Sequence, residues 1–235
     1  MRYMGSKRRI AKDILPIILQ HRQPHQTFVE PFCGGCNVTS AVSGRRIAAD
    51  VDADLIAFWK KIQAGWTPPK ITRQKYVDLR TGNGPDYLRG WAAYGCSFRG
   101  KKWGGFAGIV KGKNGKLRDE QAARLRGVAK QVSALAGVKF VTAPFDRLKI
   151  PPRSLIYCDP PYAGTTDYKT NFDHEVFWQW CREKAKEGHT VYVSEYAAPD
   201  DFVCVWSKTI IKNLHTGPGR ERTEKLFVRA SQAGK

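Results

Sequence analysis

The stretch best suited to chemistry is Asp159-Pro160-Pro161-Tyr162, which ends the apolar run Leu155-Ile156-Tyr157-Cys158. A carboxylate accepts hydrogen bonds, and each proline surrenders its own N–H while fixing φ, so the backbone is stiff and its carbonyls are left to accept. Tyr162 adds a flat surface for stacking. Together these groups suit a planar ring that carries an amino group. The apolar run reads as a buried strand, and ligands of open α/β sheets bind beyond the carboxyl ends of strands. A lone Asp-Pro is more often a turn that merely stops a strand. The double proline followed by tyrosine is the rarer arrangement.

A second candidate site lies upstream. Thr27-Phe28-Val29-Glu30 reads as a strand ending in an acid, and Pro31-Phe32-Cys33-Gly34-Gly35-Cys36-Asn37 follows as a glycine loop, where backbone can approach a ligand without a Cβ in the way. Ile47-Ala48-Ala49-Asp50 comes about twenty residues later, where the second strand of a Rossmann-like unit ends in an acid that binds ribose hydroxyls. Asp50 is assigned that role, with Asp52 and Asp54 as alternative caps for a helix beginning near Leu55. His21, His25, Cys33 and Cys36 form H-x3-H and C-x2-C pairs. Their order and gap are not those of a zinc finger, and the cysteines sit inside the glycine loop, so no metal is expected.

The elements that must position these residues belong to an α/β chain of 235 residues with a formal charge of +19. Self-repulsion of that size points to a polyanionic partner, nucleic acid before an anionic membrane surface. The opening segment lacks the apolar core of a signal peptide, and no run is long enough to span a bilayer, so a cytoplasmic protein with reduced, scattered thiols is expected. The basic arm Arg2-Tyr3-Met4-Gly5-Ser6-Lys7-Arg8-Arg9 leads into a helix over 10–20. Between Lys70 and Lys130, fifteen Lys and Arg face four Asp and Glu, interleaved with glycines and with Tyr76, Tyr87, Trp91, Tyr94, Phe98, Trp103 and Phe106. Basic charge with aromatic rings suits phosphate contact and base stacking; the alternative is an insertion whose rings form a small core of their own. A helix from Asp119 to about Ala136 returns the chain to the main domain, and Val138-Lys139-Phe140-Val141 is a strand leading to Asp146. After the Asp-Pro-Pro-Tyr stretch, residues 164–173 read as a polar lid, 175–186 as a helix and 190–196 as a strand. Strands over 202–206 and 225–228 flank a loop, Gly217 to Arg222, that suits a phosphate or a plain hairpin connection.

Arm, glycine loop, acidic strand end, basic insertion and Asp-Pro-Pro-Tyr, in this order, resemble the Dam-like (class alpha) DNA adenine-N6 methyltransferases, and the resemblance covers nearly the whole chain. It implies a Rossmann-like methyltransferase fold, mostly parallel with an antiparallel C-terminal strand. The catalytic and cofactor-binding domain would span 1–59 and 138–235, and a target-recognition insertion 60–137. It implies S-adenosylmethionine as methyl donor, with cofactor contacts at Tyr3, Gly5, Lys7, Glu30, Pro31, Phe32, Gly34, Asp50 and Asp159. Catalysis would fall to Asp159, Pro160, Pro161 and Tyr162. Double-stranded DNA is the implied partner, contacted by Tyr94, Arg99, Lys101, Lys102, Trp103, Arg220 and Arg222, with no obligate protein partner. Two departures stand out: Cys36 occupies a position where many relatives have glycine, and the insertion matches too loosely to carry over a target sequence.

The implied chemistry is direct transfer. Asp159 and the Pro160 carbonyl accept the two hydrogens of an adenine amine, favouring a tetrahedral nitrogen, while Tyr162 stacks on a base flipped out of the duplex. No Pro-Cys dipeptide, the nucleophile signature of cytosine-C5 enzymes, is present. The rival readings are cytosine-N4 methylation and a DNA-binding protein that keeps the fold without the activity.

Overall fold

The computed structural model describes residues 1–112, 115–162, 172–212 and 220–233. The strands are β1 (Phe28–Glu30), β2 (Arg46–Asp50), β3 (Ile109–Lys111), β4 (Leu117–Asp119), β5 (Val138–Thr142), β6 (Leu155–Cys158), β7 (Thr190–Glu195), β8 (Phe202–Lys212) and β9 (Arg220–Arg229). The α-helices are α1 (Ala11–Leu19), α2 (Ala53–Gln63), α3 (Arg73–Arg80), α4 (Asp86–Gly90), α5 (Glu120–Val132) and α6 (His174–Lys186). Seven strands form one sheet in the order β5-β2-β1-β6-β7-β9-β8, and β3 and β4 pair as a separate ribbon. The sheet is parallel from β5 through β7, whereas β9 runs antiparallel to both β7 and β8. This is the Rossmann-like fold expected, with its reversed C-terminal pair.

Residue alternation along the central strands explains the layering, since successive side chains leave a strand on opposite faces. Phe28, Leu155, Tyr157 and Leu226 pack under Ile14 and Ile18 of α1. On the opposite face Val29, Ile156, Cys158, Val191 and Val193 pack under Phe177, Trp178 and Cys181 of α6. Strands covered on both faces must be apolar throughout, which is why β6 is buried from Leu155 to Cys158. Asp52 caps α2 by accepting the Leu55 N–H at 3.2 Å, as the sequence suggested, while Asp54 lies inside that helix and pairs with Arg89 at 3.1 Å.

The chain runs from β1 outward to β2 and β5, then returns to β6 on the other side of β1. Connections leaving β1 and β6 therefore part in opposite directions, which opens a crevice at their carboxyl ends. Glu30 and Asp159 stand at that crevice.

The intervening segment differs from expectation. Trp91 and Cys96 are wholly buried and Tyr76 and Tyr94 nearly so, in one core with Leu55, Phe58, Trp59 and Ile62 of α2. Rings expected to stack on nucleic acid are largely core, and the core is shared with the main domain rather than separate. Burial of that much aromatic surface outweighs the surrounding charge in deciding where the rings go.

Other boundaries also move. Strands β8 and β9 extend well beyond 202–206 and 225–228, so Arg220, Glu221 and Arg222 lie in β9, while Gly217 to Gly219 fall outside the described residues. Most of the expected lid, 164–171, also falls outside them; Asp173 is described and caps α6 by accepting the Glu175 and Val176 N–H groups. No helix among the described residues is long and apolar enough to cross a membrane.

Close packing of α4 on α2 rests on Gly90, where a Cβ would lie 2.1 Å from the Asp54 carbonyl oxygen and 2.9 Å from the Phe58 Cβ. Gly90→Ala should destabilise the protein by about 1–3 kcal/mol in urea unfolding. Gly127→Ala, in α5 where a Cβ meets nothing within 4 Å, should stabilise it by about 0.4–1 kcal/mol. Equal effects at the two positions would contradict the packing described.

Candidate active site

Four parallel strands end in acids along one edge: Asp50 on β2, Glu30 on β1, Asp159 just past β6 and Glu195 on β7. The cation that meets them comes from the arm. Gly5, at φ +83°, turns the chain, and the Ser6 hydroxyl caps a short 3-10 turn over Lys7–Arg9 by accepting the Arg8 N–H at 3.2 Å. Lys7 is thereby driven inward. Its Nζ lies 2.9 Å from Asp159 Oδ1, 3.5 Å from Glu224 Oε2 and 4.4 Å from the centre of the Tyr162 ring. The Tyr162 hydroxyl donates to the same Glu224 oxygen at 3.0 Å. Tyr196 meets Tyr162 edge-on at 4.5 Å, and Arg222 Nη1 donates to the Tyr196 hydroxyl at 3.0 Å.

Charge balance in this cluster follows from the count of partners. Burial opposes the Lys7 ammonium, but Asp159 and Glu224 outweigh it and raise its pKa. Burial raises the Asp159 carboxyl too, against the pull of Lys7, and Glu224 adds repulsion. One ammonium shared by two carboxylates does not offset the desolvation of both.

Across the crevice, the glycine loop is built on acids. Glu30 Oε2 accepts the Thr39 N–H at 2.9 Å and also the Thr39 hydroxyl. Burial pushes the Glu30 carboxyl up to about 8, with the Thr39 bonds opposing it and Asp159 and Asp50 reinforcing it. Asp50 Oδ2 accepts the Gly34 N–H at 3.1 Å and its Oδ1 accepts the Asp52 N–H at 3.0 Å; burial lifts it to about 6. Gly34 sits at φ +43°, and a Cβ there would meet the Tyr3 ring at 2.7 Å. Cys36 takes φ +51° with no exposed surface. That left-handed backbone is costly for any residue with a Cβ and suits the glycine that the resemblance implies at this position.

Tyr3 lies on the loop and stacks on Tyr94 at 5.1 Å between centroids. The Tyr94 hydroxyl donates to Asp52 Oδ2 at 2.5 Å, and Lys102 Nζ meets the same oxygen at 2.6 Å. Burial raises the Asp52 carboxyl, but the bonds from Lys102 and Tyr94 outweigh it, and the net direction is down. Carboxylates, aromatic rings and close-approach glycines suit a cationic ligand bearing hydroxyls and a flat ring, so the donor set fits S-adenosylmethionine.

The predicted residues fall into separate groups. Asp159, Tyr162 and Lys7 come together, and Tyr3, Gly34 and Asp50 form the neighbouring group. Pro31 and Pro160 are buried beside them. Lys7, expected at the cofactor, pairs with Asp159. Phe32 packs against Phe145, Phe172 and Phe177, with centroids between 5.7 and 5.8 Å.

The residues expected at DNA lie in different settings. Tyr94 is corrected, since it is buried against Tyr3 and Asp52; Lys102 is exposed and pairs with Asp52, and half-buried Trp103 rests edge-on against Tyr76 at 5.3 Å. Arg222 lies in β9 and bonds Tyr196 beside Tyr162, instead of lying in a loop. Arg99 is exposed, Lys101 is partly so, and nothing is described of the Arg220 side chain.

Sequence reasoning missed Glu224 and the Asp52 cluster. A signal for Glu224 existed in the alternation of Glu224, Leu226 and Val228, which places an acid on a buried strand face where it requires a cation. Cys33 and Cys36 are buried whereas His21 and His25 are exposed, and no metal-holding group of His, Cys, Asp and Glu occurs among the described residues. Two clefts lie away from all these groups: one at the amino ends of β6 and β7, beside Arg22 and Tyr192, the other an apolar groove between α2 and α5.

Acids at neighbouring strand ends, with a glycine loop on one side and a carboxylate-proline ledge on the other, meet in one crevice of the Rossmann-like fold. A family match covers the first third of the chain. Residues 3–81 match the family model of D12 class N6 adenine-specific DNA methyltransferase, which agrees with the family that the motifs resemble. A protein of Haemophilus influenzae assigned as a methylase superposes with a TM-score of 0.37 at 10% identity, over 94% of this chain and 88% of its own. SMU.472, assigned as a methyltransferase and solved with SAH, gives 0.38 at 12% identity, over 97% of this chain and 54% of its own. No curated protein sequence matches.

The Glu30 carboxyl predicts a pH dependence. With its pKa raised from 4.5 to about 8 on folding, its stabilising contribution is complete below 4.5 and is lost as pH rises through 8. This contributes a fall of up to about 1.4 kcal/mol per pH unit in unfolding free energy within that window. Urea unfolding of Glu30→Gln should lack this component, and an unchanged slope would contradict a protonated Glu30.

Proposed function

We propose that the protein transfers a methyl group from S-adenosylmethionine to the N6 amine of adenine in double-stranded DNA, acting on a base turned out of the helix. The observation that carries this reading is the placement of Asp159 and Pro160 at the crevice between β1 and β6, facing the acid-built glycine loop. The D12 family match over residues 3–81 supports DNA as substrate and adenine as the base.

S-adenosylmethionine, held by Tyr3, Gly34 and Asp50, would supply an electrophilic methyl on a sulfonium. The amine of adenine is a weak nucleophile because its lone pair is delocalised into the ring. Asp159 and the Pro160 carbonyl accept hydrogen bonds from its two N–H groups and draw the nitrogen towards tetrahedral geometry, which is positioning with electrostatic stabilisation; as the N–CH3 bond forms, the sulfonium S–CH3 bond would break and the surplus N–H proton would leave towards Asp159 or solvent. Lys7 already donates to Asp159 and covers Tyr162, so an entering amine exchanges one N–H donor for another at the same oxygen.

The DNA surface of this reading is the β3–β4 ribbon and its approach. Ile109 and Leu117 are 69% and 73% exposed, Phe98 is 56% exposed, and Arg99, Lys111 and Arg118 are exposed around them. Apolar wedges ringed by cations on a two-stranded ribbon suit a DNA groove.

Expression in a host lacking adenine methylation, with single-molecule sequencing of its DNA, tests the reaction. Methylated adenine in a fixed context is expected, with a fall of roughly 100- to 1,000-fold for Asp159→Asn in labelled-methyl assays. N4-methylcytosine would move the reading to the cytosine amine, and unmodified DNA would overturn it. For the surface, the Arg99→Ala, Lys111→Ala double variant should bind DNA with a log–log salt slope smaller by up to about 2. An unchanged slope would remove the ribbon from the interface.

A further inference from the structure

We infer that Glu224 is a positioning residue for methyl transfer: it receives the Lys7 ammonium when the amine of the base displaces it from Asp159, and it holds Tyr162 by its hydroxyl throughout. The inference rests on the methyl-transfer reading of the site and assigns a task to a residue on β9, far in sequence from the Asp-Pro-Pro-Tyr stretch.

The geometry is that of one donor between two acceptors. Lys7 Nζ is 2.9 Å from Asp159 Oδ1 and 3.5 Å from Glu224 Oε2, so a displacement of well under 1 Å exchanges its nearer partner. Glu224 is buried, and burial of a carboxylate is costly unless it is paired. The second contact on its Oε2 comes from the Tyr162 hydroxyl at 3.0 Å, which ties the ring that faces the base to the same carboxylate.

A site that must accept an amine on Asp159 cannot leave Lys7 with Asp159 as its sole partner. The ammonium would compete with the substrate for the oxygen, and if expelled it would be buried without a counter-charge. Glu224 removes both obstacles. The groups facing Asp159 are Lys7 from the arm, Glu30 from β1, Tyr157 from β6, Tyr162 beyond it and Glu224 from β9; Arg222, next but one along β9, is engaged with Tyr196.

The test compares wild type, Glu224→Gln, Glu224→Ala, Lys7→Met and the Lys7→Met, Glu224→Gln double variant, with kcat and KM for DNA measured across pH and with folding checked by circular dichroism. Glu224→Gln keeps an acceptor for the Tyr162 hydroxyl but loses the counter-charge for Lys7, and kcat should fall roughly ten- to a hundredfold. The acid limb of its kcat profile should move to lower pH, because Asp159 loses a repelling neighbour and gains a fuller share of Lys7. With Lys7 replaced, the further Glu224→Gln change should cost less than half of its single effect on a logarithmic scale. Should Glu224→Ala fail to fold, the glutamine variants still decide the matter. A kcat within twofold of wild type, an unmoved acid limb, or an undiminished Glu224→Gln effect without Lys7 would each overturn the assignment. Absence of methyl transfer in wild type would instead overturn the reading on which it rests.

Discussion

A single buried ammonium organises the carboxylate edge of the sheet. Lys7 is 8% exposed, and removing a charge from water is tolerable only where opposite charges stand at contact distance. Lys7 and its two partners lie on three separate pieces of chain: the arm, the turn after β6 and β9. None of these pieces fixes the site by itself. The arm is held from its other side as well, since the Met4 N–H donates to the Gly100 carbonyl at 3.2 Å and a Cβ at Gly100 would lie 2.5 Å from the Arg2 carbonyl oxygen. Residues 2–7 are therefore gripped between the inserted segment and the sheet, which keeps Lys7 aimed at the crevice.

The same arm joins two chemically different halves. At one end of it Tyr3 lies on the glycine loop and against Tyr94, and at the other Lys7 reaches Asp159. The chain as a whole is strongly basic, yet Glu30, Asp50, Asp52, Asp159 and Glu224 converge here. A local excess of acid within a basic protein divides its electrostatics: the chain as a whole carries positive charge, while the crevice favours a cation. Lys102, although exposed, pairs with Asp52 at 2.6 Å and so offsets part of this acid.

Much of this was legible in the sequence because it depends on short-range rules. The unbroken apolar run of β6, the acids at strand ends, the glycine loop and the Asp52 cap follow from pattern and spacing, and the parallel sheet follows from their alternation with helices. What escaped depends on long-range pairing. Glu224 sits in Arg220-Glu221-Arg222-Thr223-Glu224-Lys225, a segment that reads as a solvated basic stretch until Lys7 is brought to it. Likewise Trp91 and Tyr94 stand in a segment whose composition suits a surface, and only the close approach of α4 to α2 turns them into core. Composition counts rings and charges; it does not say which way they face.

The position of β9 between β7 and β8 has a consequence for how the molecule comes into being. Parallel β6 and β7 can form their ladder before β9 exists, but the partner that shares Lys7 with Asp159 lies more than two hundred residues away along the chain. Contacts of such separation carry a large loop-closure cost and are among the last to be rewarded during folding. During synthesis this carboxylate edge stays incomplete until the final hairpin has emerged and inserted, so a truncated or stalled chain lacks the second acceptor for Lys7.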